Sequence, residues 1–161
     1  MLVAAFAVLA QTTLVRLLAV RDVSPDLLVA VTVAFSLGAS PAGGFAVGAV
    51  VGLGRDLFSI GPLGLGTGLF ALLGCAVALR RPGAFAGHFA VQAFFGLVCA
   101  AVVSGAEVLV LAAQGEPPGL RLAATHTAVY ALSTALLSGL VGAAVWHWAR
   151  WFGLRRRSEF E

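Results

Sequence analysis

Charged positions divide the chain into long apolar blocks. No Asp, Glu, Lys or Arg falls in 27–54, 57–79, 82–106 or 122–149, and 1–15 is free of charge as well. Charge-free apolar runs of about 18 or more residues read as membrane-spanning helices. A first span is expected over roughly 2–20, ending at Arg21-Asp22-Val23-Ser24-Pro25-Asp26. That order is the order of a helix start, with Ser24 to cap, Pro25 at the first helical position and Asp26 toward the positive end of the dipole. The stretch 27–54 would be about 42 Å long as one helix, against a hydrocarbon core of about 30 Å, and Gly38-Ala39-Ser40-Pro41-Ala42-Gly43-Gly44 interrupts it. Two short helices joined by a tight turn are therefore expected. Arg55-Asp56 leads through Ile60-Gly61-Pro62 to a helix near 63–79, stopped by Arg80-Arg81-Pro82-Gly83. Further helices follow near 88–113, up to Gly115-Glu116-Pro117-Pro118-Gly119, and near 123–148. The expected fold is all-α: a polytopic membrane helical bundle of six transmembrane helices, or of five if 27–54 is one tilted helix. Residues 1–152 would form one domain and 153–161 a short basic tail.

Composition agrees with this pattern. Of 161 residues 60% are apolar and only 11% charged, with a mean hydropathy of +1.01, where soluble domains carry about a quarter charged residues. A water-soluble domain is excluded, and little chain is left for an extramembrane catalytic domain. The net charge of +3 comes from ten Arg and no Lys, and its meaning is topological; no nucleic-acid partner is implied. Six spans with a cytoplasmic N-terminus put Arg80, Arg81, Arg150 and Arg155 to Arg157 inside, and Arg21, Arg55 and Arg121 outside. Five spans with an outside N-terminus put Arg21, Arg80, Arg81 and the tail inside. Either way the C-terminus is cytoplasmic. The uncharged start lacks the basic n-region of a cleavable signal and is expected to be retained. Trp146, Trp148 and Trp151 are placed as an aromatic belt at the headgroups would be. Cys75 and Cys99 lie in apolar runs without CxxC spacing and read as packing residues.

Gly44, Gly48 and Gly52 form a double GxxxG that puts three glycines on one helix face; Gly64 and Gly68 repeat the spacing, as do Ala135, Gly139 and Ala143. Such faces pack inside their own bundle or against a partner helix, the former being the commoner use. Arg16, Glu107 and His126 fall within or at the edges of spans, on the same outer side as Asp26 and Arg55-Asp56. Intramembrane ionisable groups suggest function; alternatively Arg16 snorkels and Glu107 pairs with it or with Arg121. His88 and His147 read as interfacial. Arg80-Arg81 and Arg155 to Arg157 suit anionic lipid or simply set topology. Nucleophile, base and orienter are not assembled by the sequence, no two histidines have the spacing of a metal site, and no Gly-rich phosphate loop follows a strand. No catalytic, metal or cofactor residue is expected. From Gly52 to Gly68 a charged pair, a Gly-Pro turn and an immediate return to apolar residues describe a tight outer turn, in which Asp56 caps or pairs locally and Pro62 sets the angle of the next helix.

Pro25-Asp26-Leu27-Leu28-Val29, followed by Gly48 and Gly52, then Asp56-Leu57-Phe58-Ser59 and Pro62-Leu63-Gly64-Leu65, resembles the rod shape-determining protein MreD family. The similarity covers 25–68 in order and spacing, and the six-span plan extends it loosely to the whole chain. Two features depart from the family: the glycine-rich Gly66-Thr67-Gly68, and Arg55, where an apolar residue is more usual before the aspartate. The resemblance implies a non-enzymatic component of the bacterial elongation machinery in the inner membrane. It would bind MreC directly and meet MreB, RodA and a class B penicillin-binding protein within the complex. It also implies a fold similar to the substrate-binding subunits of energy-coupling-factor transporters, so a vitamin-binding subunit is the alternative function. Under the scaffold reading Gly44, Gly48, Gly52, Gly64 and Gly68 would offer a packing face to the MreC span, and Pro25, Asp26, Asp56 and Pro62 would build an outer turn and polar cluster.

Overall fold

The computed structural model describes residues 25–58, 64–80, 88–115 and 119–151. The expected first span, Pro62 and the basic tail lie outside them. Five helices follow one another: α1 (Leu27–Ser36), α2 (Pro41–Phe58), α3 (Leu65–Leu79), α4 (Phe89–Ala113) and α5 (Leu120–Trp151), with no strand among the described residues.

The break between α1 and α2 follows from four residues. Leu37 still donates to the Val33 carbonyl at 3.1 Å and Ala39 to Ser36 at 3.2 Å, which closes α1. Ser40 then accepts the Gly43 amide on its hydroxyl at 3.1 Å, and Pro41 takes the first helical position, where its missing N–H costs nothing. The stretch 27–54 is therefore not one tilted helix. At the other end α1 begins two residues later than expected. Asp26, not Ser24, is its N-cap, with Leu27 rather than Pro25 at the first helical position.

α1 is only 10 residues long, about 15 Å, yet eight of those residues are buried. It lies at the centre. α2 packs on α3 and α4 on α5 as two helical hairpins, α1 touches all four, and direct packing between the hairpins is slight. Small residues set both hairpin interfaces. A Cβ built on Gly44 would lie 2.8 Å from the Ala78 methyl, one on Gly52 2.7 Å from the Thr67 Cα, and one on Gly48 2.6 Å from the Phe70 carbonyl carbon. In the second hairpin Gly96 faces Ser138, Gly142 faces Gln92, and Gly139 lies under the Phe89 ring. Close approach of this kind is how helices associate where solvent gives no hydrophobic gain.

The exterior is apolar. Leu57, Leu72, Leu109, Leu122 and Leu140 are all exposed, a surface that would aggregate in water. Two helices, Phe89–Ala113 and the Leu122–Trp148 portion of α5, are long and apolar enough to cross a membrane, whereas α1 and α3 are shorter.

Candidate functional site

Asp26 stands at the head of α1 in extended backbone conformation, φ −96° and ψ 103°, the geometry of an N-cap. Its Oδ1 accepts the amides of Leu28 at 2.8 Å and Val29 at 3.3 Å. Its Oδ2 accepts the Tyr130 hydroxyl at 2.7 Å, and its own amide donates to Thr134 Oγ1 at 3.0 Å. Tyr130 and Thr134 are four apart on α5 and so share a face. Arg55, in the last turn of α2, brings Nη1 to 3.6 Å from Asp26 Oδ2 and gives Nη2 to Glu107 Oε1 on α4. The guanidinium also lies 5.4 Å from the centre of the Phe70 ring on α3, within cation–π range. All five helices thus meet at one cluster of side chains.

Exposure rises steadily across this cluster: side-chain accessibility is 6% at Asp26, 23% at Arg55 and 48% at Glu107. The buried carboxylate is saturated by donors, which is the condition for keeping a charge out of water. The outermost one is half-exposed and pairs with Arg55. Glu107 borders a cleft of about 220 Å³ that it shares with Ser104, Val108, Leu111, Leu122, Ala123 and His126. At its edge the hydroxyls of Ser104 and Thr127 are hydrogen-bonded at 2.9 Å.

Asp56 serves a separate purpose. One residue along a helix is a turn of about 100°, so Asp56 faces α3 while Arg55 faces the cluster. Its Oδ1 accepts the Gly66 amide at 3.0 Å; its Oδ2 accepts the amides of Gly64 at 3.0 Å and Thr67 at 2.9 Å and the Thr67 hydroxyl at 2.7 Å. A carboxylate from the preceding helix thereby satisfies the orphan donors at the start of α3. Gly64 holds φ +97°, a left-handed conformation that suits glycine.

The structure brings together Asp26, Arg55 and Glu107 in one cluster at the same end of the bundle. Glu107 binds Arg55; of the partners expected for it, Arg16 and the side chain of Arg121 lie outside what is described. Of the two uses expected for the glycine face, packing inside the bundle is the one seen: Gly44, Gly48 and Gly52 lie against the α3 backbone, so the partner-facing use is not supported for them. Gly64 and Gly68 are not part of that face, since a Cβ on either meets nothing within 4 Å; Gly66 and Gly74 occupy the positions assigned to them. Pro25 sits just ahead of the Asp26 cap. Tyr130 and Thr134 escaped the sequence reading altogether, although two hydroxyls four residues apart in a charge-free run are a signal of a buried polar partner. Among the described residues no group of three His, Cys, Asp or Glu could hold a metal. No family model matches the chain, and no curated protein or solved structure is significantly similar to it.

Proposed function

We propose that the chain is a non-enzymatic, multi-pass scaffold of the bacterial inner membrane, of the MreD type. It binds MreC directly and, within the elongation complex, meets MreB, RodA and a class B penicillin-binding protein to support peptidoglycan synthesis and cell shape. The observation that carries this reading is the use made of the two aspartates in the resembling motifs. Asp26 caps α1 and Asp56 caps α3, so each spends its carboxylate on fixing a helix start. Carboxylates engaged in this way suit a rigid binding platform better than acid–base chemistry. On this reading residues 2–20 supply a further span, the apolar exterior is solvated by lipid, and the tail 153–161 is cytoplasmic.

The vitamin-binding alternative needs an open centre. Here α1 fills the centre with Val29, Ala30 and Val33 almost wholly buried, which favours the scaffold.

The test is purification of the C-terminally tagged chain from its own cells in gentle detergent, with mass spectrometry of proteins and small molecules. Retention of MreC with cell-wall synthases is the expected result. A four-span coupling protein with two ATPases and a bound vitamin would overturn it.

A further inference from the structure

The described helices divide into two bodies by the character of their joints. Inside the α2/α3 hairpin the backbones touch: Gly44, Gly48 and Gly52 lie against α3 main chain, and Asp56 accepts three amides from the start of α3. A joint packed in this way has little slack. In the second body Gly96 lies against Ser138, the Ser138 hydroxyl donates to the Gln92 carbonyl at 3.1 Å, and the hydroxyls of Ser104 and Thr127 are paired. α1 belongs to this second body, because Asp26 shares two hydrogen bonds with Tyr130 and Thr134 of α5. Toward α3 it has the reverse. Ser36 Oγ is buried near Gly74 and forms no hydrogen bond among the described residues, which weakens that side.

The joint between the two bodies is of another kind. Parting apolar side chains costs little in a bilayer, since lipid tails take their place, so polar links weigh more. Two ion pairs cross this joint and both start from Arg55, with Nη1 at 3.6 Å from Asp26 and Nη2 on Glu107. Arg55 lies 14 residues beyond Pro41 in α2, about 21 Å along the helix. The chain passes from α1 to α2 at the far end, through the turn at 37–40, where a Cβ on Gly38 would meet only the Phe35 carbonyl oxygen, at 3.9 Å. A turn at one end and a charge contact at the other make a lever. A rotation of about 10° at the turn moves Arg55 by about 4 Å, enough to separate both ion pairs.

We propose that α2 and α3 swing as one rigid hairpin about the turn at 37–40, and that Arg55, through its hold on Asp26 and Glu107, is the latch that keeps the hairpin closed on α1. The inference goes beyond the scaffold reading. Asp26 and Asp56 each make one body rigid, and Arg55 sets how the two bodies stand to each other. A molecule that touches one body then shifts the balance of the two arrangements met by whatever touches the other.

The experiment uses the full chain in lipid nanodiscs, with pairs of spin labels carried on unnatural amino acids so that Cys75 and Cys99 stay as they are. Labels at the exposed Leu57 of α2 and Leu122 of α5 report the latched end, Leu79 of α3 and Leu140 of α5 the turn end, and Leu109 and Leu122 the inside of the second body. Pulsed dipolar spectroscopy is expected to find mainly one distance for the 57/122 pair in the unmodified chain. Glu107→Gln removes one of the two links and should raise a longer-distance population about fivefold. Arg55→Met should make that population the major one. The 109/122 distance should stay fixed, and the 79/140 distance should change by less than half as much as 57/122. A 57/122 distribution in Glu107→Gln that superimposes on that of the unmodified chain would overturn the latch. That variant keeps Arg55 beside Asp26 and is expected to fold, so it decides the matter even where Arg55→Met does not fold. Equal widening of 109/122 would place the motion inside α4 and α5, and equal widening of 79/140 would mean bodily separation without a hinge; either overturns the proposal. None of these distances requires a partner, so the result is independent of what the purification retains.

Discussion

Gly48 and Phe70 are in backbone contact: a Cβ on Gly48 would lie 2.6 Å from the Phe70 carbonyl carbon and 2.9 Å from the Ala71 Cα. Both obstacles are main chain, so neither can turn aside. Gly48→Ala is expected to force α2 and α3 apart and lower stability by about 1–3 kcal/mol, and Gly48→Leu to abolish the monodisperse species. Gly68→Ala, in open space on a helix, should be neutral or stabilise by up to about 1 kcal/mol. Thermal unfolding of the three variants in detergent checks the contrast, and equal losses at 48 and 68 would contradict it.

Asp56 accepts three amides and one hydroxyl from the start of α3. Asp56→Ala leaves those donors without their acceptor and should cost about 2 kcal/mol or more, while Asp56→Asn keeps one acceptor oxygen and should fall between. Hydrogen exchange locates the effect: the amides of Gly64, Gly66 and Thr67 are expected to exchange faster in the alanine variant, with those of α5 unchanged.

Tyr130→Phe removes the hydroxyl that donates to the buried Asp26 carboxylate, a loss of about 1.5–3 kcal/mol for a bond to a charged group. Thr134→Val removes the acceptor of the Asp26 amide. Because both act on one residue, the double variant should depart from the sum of the singles. Strict additivity in unfolding measurements would mean that the two hydroxyls hold Asp26 independently.

Arg55 and Glu107 should respond unequally. Arg55→Met leaves the buried Asp26 without a cation and is expected to cost about 3–5 kcal/mol. Glu107→Gln loses an ion pair on a half-exposed carboxylate, for which about 1 kcal/mol is the expected scale. A double-variant cycle on the pair should return a coupling of the same small size, and a larger one would show that Glu107 is more deeply desolvated than its exposure implies.

Helix positions were largely legible in the sequence, because their ends are marked by residues with one dominant backbone preference. Ser40-Pro41 starts α2, and Gly115 ends α4 with φ +85°. Phase was harder. GxxxG counting from Gly64 chose Gly68, but α3 begins only at Leu65, and the face that meets α2 runs through Gly66, Phe70 and Gly74. Glycines two positions apart point to opposite sides of a helix, so one misplaced start exchanges the buried set for the exposed one. The polar cluster was legible as a collection of residues on one side of the chain but not as a set of pairs. Which carboxylate meets Arg55 depends on the rotation of α2 against α4, and these two helices are positioned through α1 rather than by each other.

The dependence of α1 on α5 also has a consequence in time. Asp26 is 104 residues ahead of Tyr130 and 108 ahead of Thr134. At about 5–20 residues per second of synthesis, a nascent chain must carry that carboxylate and that amide for some 5–20 s before their partners exist. Through that interval the first hairpin is built around an unfinished cap, and α5, the last of the described helices, is the one that closes it.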